Sequence, residues 1–409
     1  MKVCFETFGC RLNKAEALEM EADYLAKGWE RTESHADADL FVVRGCSVTA
    51  RAQRDCEKLI DHLRRRYPRT PLRVCGCLPK SARPSAAPKV APPVETGVSG
   101  PVPTRTARAY LKVQDGCSGA CTFCIVPKFR GTSVSVPFDA LLEKAGRFVE
   151  AGYHELVVTG CNLALYASAG KRLPELVEAL ASVSPSCRIR LGSLEPGSCA
   201  LETVRAMAAH PNVCRFLHVP VQSGSNRILA AMKRPYLVRD VEALVTSAVK
   251  FLPDAGIGCD ILAGFPDEME MDFAATEALL RRLPFNRAHV FPYSERPGTL
   301  AAAFGGALPR DVRLARARRL AALVQEKRER FAHRFLGRDV EIVVEGEGEA
   351  TGWTGEYLRA RTVSPAPRKS LVRLFVTHVH RDATLEGRLV ATTARQGSMM
   401  TFVPGRHMA

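Results

Sequence analysis

The stretch AYLKVQDGCSGACTFCIVPKFRG, residues 109–131, joins a predicted strand to a loop with three cysteines. Cys117, Cys121 and Cys124 have the spacing Cys-x3-Cys-x2-Cys, and Phe123 directly precedes the last of them. This spacing is wider than that of a thioredoxin-type pair, and the loop lacks the histidine partners of a zinc finger. Three thiolates on one loop after a strand can each hold one iron of a [4Fe–4S] cube and leave the fourth iron open.

An open iron on such a cluster is a site for the amino and carboxylate groups of S-adenosylmethionine (SAM). Electron transfer from the cluster then cleaves the sulfonium and releases a 5′-deoxyadenosyl radical. The absence of a fourth cysteine is therefore the functional feature of this motif. We predict that Cys117, Cys121 and Cys124 are the catalytic cluster ligands. A structural zinc site is the alternative.

Composition narrows the class of protein further. The chain has 409 residues, 14 cysteines and a formal net charge of +15. Its first residues lack the pattern of a signal peptide, and no apolar run reaches the ~18 residues of a membrane span. We therefore expect a cytoplasmic protein without a membrane partner, whose cysteines serve metal or redox chemistry rather than disulfides. The positive charge favours a polyanionic partner, with nucleic acid first.

Strand and helix patterns divide the chain into five parts. Residues 1–80 predict a parallel α/β domain, and residues 81–104 predict a Pro/Ala-rich linker, although an ordered irregular segment fits its second half equally well. Residues 105–308 contain six βα repeats, which fit a partial parallel barrel; a doubly wound open sheet is the alternative. Residues 309–338 predict one helix with ten Lys or Arg against three Asp or Glu. Short strands in residues 339–409 predict a small β-barrel.

A second set of cysteines lies upstream. Cys10, Cys46 and Cys77 each follow one of the first three predicted strands. Carboxyl ends of parallel strands meet at one edge of a sheet, where ligands bind in such folds. We therefore predict a second metal cluster at these thiols; three buried core thiols are the alternative. Cys75 competes with Cys77 as the third thiol of this set. The remaining cysteines are assigned to packing: Cys4, Cys56, Cys161, Cys187, Cys199, Cys214 and Cys259.

These motifs carry a family likeness along nearly the whole chain. The chain resembles the radical-SAM methylthiotransferases in the stretches FGCRLN, GCSVT, CGC, KVQDGCSGACTFCIVPKFRG, VVTGCNLALY, RIRLGSLEP, HVPVQSGSNRILAAM, CDILAGFP and HVFPYSERPGT. The resemblance implies a transferase with two [4Fe–4S] clusters, one that binds SAM for radical generation and one in the N-terminal domain that presents sulfur. One SAM would methylate that sulfur, and a second would activate an inert C–H bond. The C-terminal β segment resembles a divergent form of the RNA-binding barrel called TRAM.

The details favour the branch that acts on tRNA N6-threonylcarbamoyladenosine next to the anticodon. The chain is similar to that branch in KVQDGC, TGCNLALY, LGSLEP, FPYSERPGT and GWTGEYLRAR. Sister branches modify N6-isopentenyladenosine in tRNA or an aspartate of a ribosomal protein, and these are the alternative substrates. A non-catalytic RNA-binding protein with structural clusters or zinc is the alternative from another class. The resemblance implies tRNA as partner and an electron donor such as flavodoxin or ferredoxin, and it leaves the sulfur source open.

The resemblance also implies where SAM binds, at the carboxyl ends of barrel strands. It places seven residues around SAM: Gly160 and Asn162 at the methionine part, Arg130 at the carboxylate, Glu195 and Gln222 at the ribose or amino group, and Asp260 and Gly264 beside the adenine. Each has a local alternative, because Gly and Asn commonly end strands and Gln-Ser-Gly is turn-like.

The chain departs from the family at the second cluster. Arg44 and Gly45 stand where Asn and Thr usually precede the cysteine, and the segment after Cys77 is short.

Two residue pairs near the C-terminus have open roles. His378 and His380 share a strand face, but without an evident third ligand we favour RNA contact or plain surface over a metal site. Trp353 and Tyr357 fit either base stacking or barrel core, and we favour the core slightly.

Overall fold

The computed structural model describes residues 1–78, 102–103, 105–197 and 199–393. Most of the predicted 81–104 linker and the last residues of the chain lie outside these ranges. The helices are α1 (Arg11–Ala26), α2 (Ala50–Arg66), α3 (Val126–Arg130), α4 (Phe138–Glu150), α5 (Leu173–Val183), α6 (Ala200–Ala209), α7 (Asn226–Ala231), α8 (Val238–Phe251), α9 (Glu270–Arg282) and α10 (Arg310–His333). Within the described ranges, none of them is long and apolar enough to span a bilayer.

The strands fall into an N-terminal, a central and a C-terminal group. They are β1 (Lys2–Thr7), β2 (Glu30–Arg31), β3 (Leu40–Gly45), β4 (Leu72–Gly76), β5 (Ala109–Lys112), β6 (Gln114–Asp115), β7 (Val134–Ser135), β8 (Glu155–Thr159), β9 (Ala167–Ser168), β10 (Lys171–Arg172), β11 (Arg188–Leu191), β12 (Phe216–Gln222), β13 (Gly256–Ala263), β14 (Arg287–Pro292), β15 (Asp339–Val343), β16 (Glu349–Trp353), β17 (Arg359–Pro365), β18 (Leu371–Val379) and β19 (Leu385–Thr393). The residue boundaries between the five parts stay predictions.

The N-terminal sheet is parallel, with strand order β2–β1–β3–β4. Alternation along each strand sends side chains to opposite faces. Met20 and Tyr24 of α1 cluster with Val42 on one face. Ile60 of α2 clusters with Val43 on the other. This confirms the parallel α/β domain. The edge strand β2 was not predicted, because a run of two residues shows no periodicity.

Six parallel strands of the central domain curve into an open barrel. β5, β8 and β11 pair on one side, and β12, β13 and β14 pair on the other. The bridges Ile189–Val213 and Ser193–His218 join the two groups. Helices α4, α5, α6, α8 and α9 share one hydrophobic core with the convex face of these strands. The partial barrel is therefore confirmed over the doubly wound sheet.

Helix α1 covers part of the barrel's concave face. Ala15 and Leu18 of α1 form a hydrophobic cluster with Tyr110 and Val157 of the barrel. The neighbouring strand residue Leu111 points the other way, into the core on the convex side. The N-terminal domain and the barrel therefore enclose a common interior.

The C-terminal sheet has the strand order β15–β18–β19–β17–β16. Register shifts between β18 and β19, at Arg373/Leu374 and at Val376/His378, mark bulges that increase the bend of the pair. The sheet curls around a core that includes Phe331 of α10. This agrees with the small barrel predicted from the sequence.

The basic helix predicted in residues 309–338 is α10, and part of its charge faces the barrel. Arg316 Nη1 donates to Glu268 Oε2 at 2.6 Å. Arg319 Nη2 donates to Glu277 Oε2 at 2.5 Å. These arginines attach the helix to the barrel, a role that counting charges along the sequence did not predict.

Candidate active site

The loop between β6 and α3 carries Cys117, Cys121 and Cys124, which we call the central trio. Cys124 N donates to Cys121 O at 3.1 Å, which closes a tight turn. Thr122 Oγ1 donates to Ala231 O at 3.0 Å and so fastens the loop to the end of α7. The loop therefore holds its three thiols at the carboxyl-end edge of the barrel.

The chemistry of the central trio fits an iron–sulfur cube. A Cβ added to Gly119 would lie 3.3 Å from Cys117 Sγ and 3.8 Å from Cys121 Sγ, so these thiols converge around the glycine. Burial raises the pKa of Cys124 to about 11, so its thiolate needs positive charge beside it. Three cysteine thiolates on one loop are a ligand set that can hold a [4Fe–4S] cube and leave one iron open.

Arg234 links the central trio to polar residues at neighbouring strand ends. Its Nη1 donates to Cys121 Sγ at 2.9 Å, and its Nη2 donates to Glu195. Glu195 Oε2 also accepts from Asn162 Nδ2 at 2.7 Å. Asn162 N in turn donates to Gln114 Oε1 at 3.0 Å. Two of the residues predicted to bind SAM, Asn162 and Glu195, therefore lie in one hydrogen-bonded group that contacts the cysteine loop.

Three other residues predicted to bind SAM lie at strand ends. Close packing or an unusual backbone conformation restricts which residue fits at each of these positions. A Cβ at Gly160 would lie 2.9 Å from Gln114 Oε1, so only glycine fits there without a shift. Gln222 ends β12 with a φ of +65°, a left-handed conformation that a non-glycine residue rarely adopts. Gly264 follows β13, and a Cβ there would lie 2.4 Å from Arg313 Cγ of α10. Gly264 thus packs closely against α10.

Asp260 lies inside the barrel, in the middle of β13. Its Oδ1 accepts from His218 Nε2 at 2.9 Å and from His289 Nδ1 at 3.0 Å. Burial alone would raise the pKa of Asp260, but these two hydrogen bonds hold it below its usual range. The three side chains form a polar wall on the concave face. Sequence reasoning missed the two histidines, although each stands at an inward position of a predicted strand.

Cys10, Cys46 and Cys77, the N-terminal trio, lie at the carboxyl ends of β1, β3 and β4. A Cβ at Gly9 would lie 2.7 Å from Cys46 Sγ, so the glycine lets the first loop approach the second. Burial raises the pKa of Cys46 and of Cys77, and the charge of Cys10 acts on both thiols. Arg130 Nε donates to Cys77 Sγ at 3.0 Å. The donor set again fits an iron–sulfur cluster with three protein ligands.

Arg130 connects the barrel to the N-terminal domain. Its Nη1 donates to Asp115 Oδ1 at 2.8 Å, and its Nη2 donates to Asn13 Oδ1 at 2.8 Å. Glu16 Oε2 accepts from the same Nη2 at 3.0 Å. Lys112 Nζ contacts both Glu16 and Asp115 at 2.6 Å. The structure thus places Arg130 at the N-terminal trio, rather than in the group of Glu195 and Arg234 beside the central trio.

The structure explains Arg44 and Gly45, the two residues that stand where the family usually has Asn and Thr. Arg44 is buried and pairs with Glu16. A Cβ at Gly45 would lie 2.0 Å from Leu78 Cδ1 and 2.8 Å from Cys56 Sγ. A threonine therefore fits at position 45 only if both Leu78 and Cys56 move, so the glycine matches these two neighbours in this chain.

Sequence reasoning missed five residues that brace the two trios. They are Asn13, Glu16, Gln114, Asp115 and Arg234. Asn13, Gln114 and Asp115 lie within stretches that carry the family resemblance. Their place in those stretches is the sequence feature that could have identified them. Their partners are distant in sequence, so no local pattern identified them.

The remaining pairs near the C-terminus do not join these sites. The rings of His378 and His380 lie 4.7 Å apart, and His380 Nε2 lies 2.9 Å from Glu386 Oε2. Tyr357 stacks on both Phe216 and Trp353, with ring centres 4.7 Å apart in each case. Tyr357 therefore packs against protein rings at the junction with the barrel.

Comparison with known proteins identifies the family. The Radical SAM superfamily model matches residues 111–280, and the model described as Uncharacterized protein family UPF0004 matches residues 2–95. The threonylcarbamoyladenosine tRNA methylthiotransferase MtaB of Thermotoga maritima is 30% identical over 393 residues, with 87% of this chain and 90% of that protein covered. The chain belongs to the radical-SAM tRNA methylthiotransferases. The family prediction is confirmed, and with it a transferase that uses SAM and a [4Fe–4S] cluster.

Other proteins similar to this methylthiotransferase include a second MtaB, an enzyme named for another nucleoside, and a solved structure with the same fold. MtaB of Aquifex aeolicus is 30% identical, with 84% of this chain and 93% of that protein covered. The tRNA-2-methylthio-N(6)-dimethylallyladenosine synthase of Bordetella bronchiseptica is 32% identical, with 95% and 92% covered. The radical SAM methyltransferase TsrM of Kitasatospora setae shares the fold, with a TM-score of 0.51 over 86% of this chain and 80% of that one at 15% identity.

For this methylthiotransferase, we expect Arg234→Ala to slow SAM cleavage. The change removes a hydrogen bond to Cys121 Sγ and leaves Glu195 without its guanidinium partner. Loss of a charge-assisted hydrogen bond predicts a decrease of about 10- to 100-fold. Release of 5′-deoxyadenosine with dithionite, measured by liquid chromatography, is the readout. Arg239→Ala on α8, whose side chain is 79% exposed, is the control. An unchanged rate of SAM cleavage in Arg234→Ala would contradict a role for Arg234 at the central trio.

Proposed function

We propose that this enzyme adds a methylthio group to C2 of N6-threonylcarbamoyladenosine in tRNA. The observation that carries the proposal is the pair of cysteine trios on facing edges of two domains, joined through Arg130. Its Nε contacts Cys77 of one trio at 3.0 Å, and its Nη1 contacts Asp115, two residues before Cys117 of the other, at 2.8 Å. The MtaB relatives support the choice of nucleoside.

Each trio has a separate part in the proposed reaction. When bound, a SAM-ligated [4Fe–4S] cluster at the central trio supplies the radical, and a second cluster at the N-terminal trio supplies the sulfur. Arg234, Glu195 and Asn162 orient groups beside the central trio through their shared hydrogen bonds. Helix α1 excludes water from one side of the barrel interior.

A basic cavity supports an RNA substrate. It has a volume of about 740 Å³, lies between α2, β14 and α10, and is large enough for a nucleotide. Arg51, Arg54 and Arg310 line it, as does Phe291, whose side chain is exposed. Arginine side chains bind phosphates, and an exposed aromatic ring can stack on a base. We further propose that the enzyme acts in the cytoplasm and takes electrons from a flavodoxin or ferredoxin.

Reaction of the reconstituted enzyme with defined RNAs tests the proposal. Anticodon stem–loops that carry N6-threonylcarbamoyladenosine, N6-isopentenyladenosine or plain adenosine are incubated with SAM and dithionite. Mass spectrometry of the digested nucleosides then detects any methylthio group. Product from the threonylcarbamoyl RNA alone supports the proposal. Product from the isopentenyl RNA instead supports the alternative substrate, which the relative from Bordetella bronchiseptica represents.

A further inference from the structure

Several arginines lie around Tyr357, and Arg11, Arg287 and Arg328 are three of them, from three parts of the chain. Arg11 of α1 donates to Tyr357 OH, and its guanidinium carbon lies 5.2 Å from the centre of that ring. Arg287, the first residue of β14, lies 4.6 Å from the same ring centre and 5.3 Å from the centre of the Trp353 ring. Arg328 of α10 is close enough for its charge to act on Arg287. We call these three residues the arginine cluster.

Within the described ranges, the arginine cluster has donors that no protein group satisfies. Arg287 Nε and Nη1 and Arg328 Nε are buried and have no hydrogen-bond partner. Burial and the charges of Arg328 and Arg11 lower the pKa of Arg287 to about 10. The carboxylate whose charge acts on Arg328 is Asp382, and its oxygens accept from the backbone and hydroxyl of Thr384. Both arginines are half-buried, and shielded N–H donors of a cation without a partner are costly, so the site favours an anionic ligand.

A neighbouring set of arginines shows the contrast. Arg188 and Arg190 lie at the same end of the barrel, and Arg190 lies 4.9 Å from the Tyr357 ring centre. Both of them pair with the buried carboxylate of Glu155. Glu155 therefore neutralises Arg188 and Arg190, whereas among the described residues no carboxylate forms an ion pair with the arginines of the cluster. This difference indicates that the cluster binds something outside the protein.

The arginine cluster faces the same interior as the polar wall. Arg287 precedes His289 by two positions on β14, so both side chains point to the concave face. His289 contacts Asp260 there at 3.0 Å. The stack of Phe216, Tyr357 and Trp353 closes this end of the interior. A nucleoside that entered the barrel would thus meet cations at the end away from the central trio.

We propose that Arg11, Arg287 and Arg328 bind an oxyanion of the RNA substrate, either the carboxylate of a threonylcarbamoyl group or a backbone phosphate. Guanidinium groups match both through paired N–H donors. The inference rests on the proposed function, because threonylcarbamoyladenosine carries a carboxylate and isopentenyladenosine carries none. An uncharged side chain would leave the buried cations unpaired, so the same residues would select against it.

Equilibrium binding tests the proposal without turnover. Anticodon stem–loops are prepared with threonylcarbamoyladenosine, with its methyl ester, and with plain adenosine, and their affinities are measured by fluorescence anisotropy. We expect the wild-type protein to bind the free carboxylate about 10-fold more tightly than the ester. Arg287→Gln and Arg328→Gln should remove this difference. Arg330→Gln is the matched control, because it lies on the same helix with a side chain that is 75% exposed.

The binding measurements have three informative outcomes. Equal weakening of all three RNAs in Arg287→Gln, but not in Arg330→Gln, assigns the site to a backbone phosphate. Unchanged affinities in both cluster variants overturn the proposal. A wild-type protein that binds the carboxylate RNA selectively and yet forms no methylthio product would contradict the proposed function alone.

Thermal unfolding gives a second readout that does not depend on RNA. Arg287→Gln removes a half-buried cation whose Nε and Nη1 have no hydrogen-bond partner, so it should raise the melting temperature above that of the wild type. Sodium sulfate should stabilise the wild-type protein more than this variant, because a bound oxyanion stabilises only the chain that holds it. An equal response of both proteins to sulfate would contradict an oxyanion site at Arg287.

Discussion

A variant in which Cys10, Cys46 and Cys77 are all replaced by Ala is expected to cleave SAM and to form no methylthio product. The three thiols lie on the N-terminal sheet, whereas the loop of the central trio is fixed by contacts within the barrel, such as Thr122 to Ala231. The central site should therefore persist without its neighbour. Iron content should fall from about eight to about four per chain, the number in one cube. Formation of 5′-deoxyadenosine, formation of the modified nucleoside and iron content are the three measurements.

The converse variant separates the two sites. Replacement of Cys117, Cys121 and Cys124 by Ala should abolish both SAM cleavage and product, and it should again leave about four irons. Cys75→Ala is the control, because Cys75 lies on β4, two residues before the proposed ligand Cys77, which follows the strand. It should keep both activities and all the iron. Loss of SAM cleavage in the N-terminal variant would show instead that the two sites form one unit.

The prediction of the central cysteine site rests on a local signal. The spacing of the central trio lies within eight residues of sequence. The N-terminal trio needed one further rule, that parallel strands end at a common edge. The barrel followed from repeated strand and helix patterns, whose hydrophobic periods are short. The strands and helices of the barrel depend on residues near one another in the chain, and sequence reasoning finds them.

The side chains between the sites were not predictable in this way. The family resemblance implied that Arg130 binds the SAM carboxylate, and in the structure its side chain contacts Cys77, 53 positions earlier in the chain. Tyr357 meets Phe216 across the junction of two domains. Such contacts depend on how the domains pack, and no period or spacing in the sequence encodes their packing. Buried arginines show the same limit, because a sequence does not reveal which of them has a carboxylate partner.

Glu155 is the residue whose loss should destabilise the fold most. Its side chain is fully buried and accepts from Arg190 Nε at 2.7 Å and from Arg188 Nη2. These arginines also donate to carbonyls of the C-terminal domain, at Trp353 (3.1 Å) and Thr354 (2.8 Å). Glu155→Gln leaves two buried cations without a counter-charge, and we expect a loss of about 3–5 kcal/mol in the free energy of unfolding. Urea denaturation measures it.

An exposed ion pair provides the control for Glu155. Glu242 pairs with Arg282 at the surface, where both side chains are at least about one-third exposed. Glu242→Gln should change the free energy of unfolding by less than about 1 kcal/mol, because solvent screens such pairs. A loss of similar size in both variants would mean that burial does not determine how much the ion pairs of Glu155 stabilise the fold.

The dependence of this loss on pH follows from the state of the carboxylate. Burial alone would raise the pKa of Glu155, but the charges of Arg190 and Arg188 hold it well below its usual range. A carboxyl with a depressed pKa contributes its full stability above its unfolded pKa of about 4.3, and that contribution is lost as the pH falls toward the folded pKa. The difference between wild type and Glu155→Gln should therefore be constant between about pH 6 and pH 8 and shrink below about pH 4. A difference that grew on acidification would show that the carboxyl is protonated in the folded protein and that the arginines are held by the carbonyls of the C-terminal domain instead.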